Sequence, residues 1–94
     1  MQMSRPEFVN RVFQVAEAAG YPVALNRFGL RQIDFGHKKL HEEHVGGLYP
    51  SALAAGAHIG KLIEEVAPGR PCAHKPMRQI IERLTAAQNR LNAL

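Results

Sequence analysis

Ninety-four residues make one domain, spanning 1–94, and leave no room for a second core. Hydrophobic residues at 46% and charged residues at 21% are globular values that exclude wholesale disorder. The formal charge is +4 and the pI near 9.7, yet the imbalance is local. Residues 1–69 carry seven Lys/Arg and seven Asp/Glu, whereas residues 70–94 carry Arg70, Lys75, Arg78, Arg83 and Arg90 against Glu82 alone. A positive field gathered in the last quarter of the chain points to an anionic partner, although +4 is modest for a dedicated nucleic-acid binder.

Cys72, the single cysteine, has no partner for an internal disulfide. The start, Met-Gln-Met-Ser-Arg-Pro-Glu, lacks the apolar core of a signal peptide. The longest uncharged run, 45–60, is too short to span a bilayer and holds a Pro and a His. A cytoplasmic protein with no membrane association is expected.

Ser4-Arg5-Pro6-Glu7 predicts a helix start, with Ser as cap, Pro in the first turn and Glu closing a capping box. Phe8, Val9, Val12, Phe13, Ala16 and Ala19 then line one face of a helix over about 5–19, which Gly20 and Pro22 terminate. Val23 and Leu25 alternate before the turn-forming run Asn26-Arg27-Phe28-Gly29, and Arg31, Ile33 and Phe35 alternate after it. The pattern predicts a short two-stranded hairpin. A rival is a helix over about 30–44, because Leu30, Ile33, His37, Leu40 and His44 lie three and four apart. With the hairpin preferred, a short helix from His37 to Val45 follows, ended by Gly46-Gly47.

Tyr49 to Val66 is apolar nearly all round until Lys61, which predicts a buried central helix over about 51–66. Three prolines and a glycine make 67–76 a connector. From Pro76, the residues Met77, Ile80, Leu84, Ala87, Leu91 and Leu94 have heptad spacing in a terminal helix over about 76–92. The expected fold is mainly α: a small single-domain bundle of three main helices, with a short hairpin or irregular segment after the first.

His37, His41 and His44 stand at i, i+4 and i+7, which on a helix puts three imidazoles on one face and makes a metal site conceivable. Two turns of helix spread them over about 10 Å, too far for one ion without distortion. Glu42 and Glu43 do not complete the H-E-x-x-H pattern of zinc hydrolases. An exposed mixed-charge helix accounts for the same residues. Cys72 beside His74 and Lys75 has the cationic neighbours that favour a thiolate, but no oxyanion turn or orienting carboxylate lies near it in sequence. No cofactor motif is present, and no enzyme is expected.

The terminal helix begins on His74, Lys75 and Arg78, with no acidic residue before Glu82, where the helix dipole favours anions. Cations there suit a bound phosphate or carboxylate, while solvent screening makes the cluster cheap if nothing binds. The residues singled out for a partner or anion are Arg70, His74, Lys75, Arg78, Arg83 and Arg90.

The sequence therefore predicts a non-enzymatic docking module, a small regulator, adaptor or inhibitor. It would bind an acidic surface on a protein or nucleoprotein partner through its basic C-terminal quarter. Direct DNA or RNA binding is the alternative, weakened because the connector exceeds a helix-turn-helix turn and no aromatic lies among the cations. A His metal site is the third. The heptad face either packs within the chain or forms a homodimer seam.

Overall fold

The computed structural model describes residues 3–36, 38–54 and 75–93. Helix α1 (Arg5–Ala18) starts as its sequence predicts. The Glu7 amide donates to Ser4 Oγ at 3.3 Å, and the Ser4 amide donates to Glu7 Oε1 at 3.2 Å. Its apolar stripe buries Phe8, Val9, Val12, Phe13, Val15 and Ala16.

The hairpin forms from β1 (Val23–Leu25) and β2 (Arg31–Asp34), with Val23 opposite Ile33 and Leu25 opposite Arg31. A third strand, β3 (Lys39–His41), then pairs antiparallel with β2, placing Leu40 opposite Ile33. The sheet runs β1-β2-β3, and its middle strand carries the wholly buried Ile33.

This third strand corrects two expectations. The domain is α+β rather than a helical bundle, and no helix runs from His37 to Val45. The cause lies in the turn after β2. Asp34 Oδ1 accepts the Gly36 amide at 2.7 Å, the Phe35 amide donates to the Lys38 carbonyl at 2.9 Å, and Gly36 sits at φ +93°. A left-handed residue at 36 breaks any helix drawn through it and reverses the chain. Residues 39–41 then read exposed, buried, half-buried, a period of two that puts Leu40 into the core. Helix α2 (Glu42–Gly47) starts only after the strand, with His41 as its cap.

Helix α3 (Tyr49–Ala54) covers the first turn of the predicted central helix; residues 55–66 of that helix, and 67–74 of the connector, lie outside the described residues. Phe8 of α1 meets Tyr49 at its start, ring centroids 5.7 Å apart. Helix α4 (Lys75–Asn92) buries Ile80, Leu84 and Ala87, with Leu91 packed at the edge of the same cluster. This is the predicted heptad face, and its described positions are spent inside the chain. The core is organised on α1, which β1, α2, α3 and α4 all contact.

Candidate binding surface

Helix α1 has no basic residue in its last turn, so its carbonyl end, the negative pole of the helix, lacks a local cation. Helix α4 supplies two. Arg83 Nη2 donates to the Ala19 carbonyl at 2.7 Å, and Arg90 Nη2 donates to the Ala18 carbonyl at 2.7 Å. Farther along the pair, Arg11 Nη2 donates to Asn92 Oδ1 at 2.8 Å. Residue numbers rise on one helix as they fall on the other, so α1 and α4 run antiparallel and carry Arg11, Arg83 and Arg90 along their junction.

The Arg83 guanidinium also lies 4.5 Å from the ring centroid of Tyr21. Burial raises the pKa of the Tyr21 phenol, with the Arg83 charge pulling the other way. The guanidinium lies over the ring, and the buried hydroxyl has no well-formed hydrogen bond. Gly20 makes room for this arrangement. It has φ +92°, and a Cβ built there would lie 2.6 Å from Arg83 Nη2. Among the described residues, no ion pair joins Arg11, Arg83 or Arg90 to a carboxylate. Their acceptors are neutral oxygens, so each arginine is positioned without being neutralised.

Of the other predicted cations, Arg78 is exposed on α4, Lys75 begins that helix, and Arg70 and His74 lie outside the described residues. Arg11 was not singled out in the sequence. The signal for it was weak: it is one exposed residue on the polar side of an amphipathic helix.

Two of the three histidines weighed as a metal site are placed, and they do not share one helix. His41 ends β3 and His44 lies in α2; His37 is outside the described residues. His41 Nδ1 accepts the His44 amide at 3.2 Å, so that nitrogen serves as a helix cap, and the two rings meet edge to face at 6.2 Å. Among the described residues, no three His, Cys, Asp or Glu side chains are grouped to hold a metal.

A second feature is an open groove of about 550 Å³ between the start of α1, Leu30, Arg31 and α2. Arg31 and Glu42 close one wall. Glu42 Oε1 accepts the Arg31 amide at 3.0 Å, and Glu42 Oε2 lies 3.2 Å from Arg31 Nη2. The backbone hydrogen bond from Arg31, opposed by desolvation and reinforced by the Arg31 side-chain hydrogen bond and then its charge, holds the Glu42 carboxyl below its ordinary pKa. No described helix is long and apolar enough to cross a membrane.

Fold and surface together define a small α+β domain with a cationic junction between its first and last helices. No family model, curated protein or solved structure matches the chain.

Proposed function

We propose that this protein is a non-enzymatic, cytoplasmic docking module that acts by occupying an acidic surface on a macromolecular partner, as a regulator, adaptor or inhibitor. The observation that carries this reading is the placement of Arg83 and Arg90 on the carbonyl end of α1. A helix end offers about half a negative charge, against two full positive charges, so most of the cationic field is left for a partner. Arginines held in place lose less freedom on binding than mobile ones, which favours specific recognition of carboxylates.

Arg78 extends the field along α4 and has no described role in packing. Lys75 is the first residue of that helix. Reversing both, with Lys75→Glu and Arg78→Glu, should abolish capture of the partner from a lysate of the source organism. The thermal midpoint should stay within a few degrees, as for surface changes generally. The captured proteins are identified by mass spectrometry, and the lost one should present an acidic face. A protein set unchanged by the charge reversal removes this surface from consideration. Retardation of DNA or RNA by the wild type at low salt, lost in the variant, would replace the protein partner with nucleic acid.

A further inference from the structure

The most exposed large apolar side chains among the described residues lie at one hairpin end: Leu25, the last residue of β1, at 70% and Phe28 in the turn at 72%. The turn is rigid. Asn26 Oδ1 accepts the amides of Phe28 at 2.9 Å and Leu30 at 3.0 Å, and the Asn26 amide donates to the Leu30 carbonyl at 2.8 Å. Arg27 folds its guanidinium over the Phe28 ring at 4.9 Å, so the tip is an apolar knob with a cation beside it. Single exposed apolar residues are ordinary on protein surfaces. A pre-ordered Phe with an adjacent Leu and Arg has instead the composition of an interface anchor.

The groove beside it is complementary. Pro6, Val9, Leu30, Gly46 and Gly47 give it apolar and backbone walls; Arg5 and the Arg31–Glu42 pair also line it, and the exposed Glu43 is the carboxylate there that is not tied to Arg31. The groove is open to solvent, and its volume of about 550 Å³ leaves room for a phenyl ring to lie in it. Leu30 lines the groove two residues after Phe28, so knob and groove are neighbours on one chain. A knob that cannot reach its own groove can reach that of a second copy. A contact in which each knob enters the other copy's groove is isologous, and a two-fold contact of that kind closes on itself.

We propose that the protein self-associates through this reciprocal contact, with Phe28 of each copy in the groove of the other and Arg27 facing Glu43. This is independent of the cationic junction and of the α4 heptad face.

Sedimentation equilibrium of the full chain from about 1 to about 500 µM should show a monomer–dimer equilibrium, as expected for a small interface. Phe28→Ser should weaken it by about tenfold or more. Arg27→Glu should weaken it by about fivefold, and adding Glu43→Arg should restore it. Gly47→Leu provides a separate arm. A Cβ there meets nothing within 4 Å, so the new side chain projects into open space and helix propensity improves. It should abolish the dimer without lowering the thermal midpoint. A monomer at every concentration, or a dimer indifferent to Phe28→Ser and Gly47→Leu, overturns the proposal.

Discussion

Arg83 does three things with one side chain. It caps α1 through the Ala19 carbonyl, covers the Tyr21 ring, and occupies the space a side chain at position 20 would need. Replacing it with Met keeps much of the apolar stem and removes the charge and the donor. The expected loss is about 1–2 kcal/mol, from a charged hydrogen bond and a partly exposed cation–π contact. Gly20→Ala should cost a similar amount through its left-handed backbone alone, and more because the new Cβ displaces Arg83. The two costs therefore overlap, and the double variant should be less destabilised than the sum of the singles. Denaturant melts of the four proteins test this, and strict additivity would show that Gly20 and Arg83 act separately. At this scale the sequence was only half legible. Gly20 was readable as a helix terminator because positive φ is a local demand. The guanidinium beside it was not, since Arg83 and Ala19 are 64 residues apart.

The elements divide in the same way. Helix α1 and the β1–β2 hairpin were readable because their signals are local: a capping box, a repeating stripe, a turn with Asn and Gly. Strand β3 was missed because three residues hold too little alternation to outweigh the three-and-four spacing running from Leu30 to His44. What locks that region is the tie between β2 and α2, where Glu42 accepts from both the backbone and side chain of Arg31. The folded state holds Glu42 below its ordinary value of 4.5. A depressed carboxyl contributes stability that is present above the unfolded pKa and lost as pH falls through the folded one. Wild type should therefore melt above Glu42→Gln at neutral pH, and the gap should close on acidification below 4.5. A gap that persists at constant size into strong acid would mean that the carboxylate charge is not what the tie uses.

For the molecule as a whole, the decisive contact joins its two ends. Helix α4 closes the core over α1 with Ile80, Leu84 and Ala87, and the hydrogen bonds between the two helices span 64 to 81 residues of sequence. The heptad spacing revealed an apolar face but not its partner, because periodicity records which side is buried and says nothing about what covers it. The same ambiguity produced the expected bundle: a sheet and a helix can cover α1 equally well, and choosing between them needs the long-range pairing. Leu84 tests the arrangement most directly, being wholly buried while Leu91 sits at the edge of the cluster. Leu84→Ala should cost about 2–5 kcal/mol, a large share of the roughly 5–15 kcal/mol that holds a domain together. The thermal midpoint should fall by about 10 °C or more, and Leu91→Ala should cost less than half as much. Because Arg83 and Arg90 ride on the same helix, loosening it should also weaken the proposed partner capture in proportion to the fraction unfolded. If Leu84→Ala melts within a few degrees of wild type, α4 does not pack on α1 in solution, and the cationic junction built on that pairing goes with it.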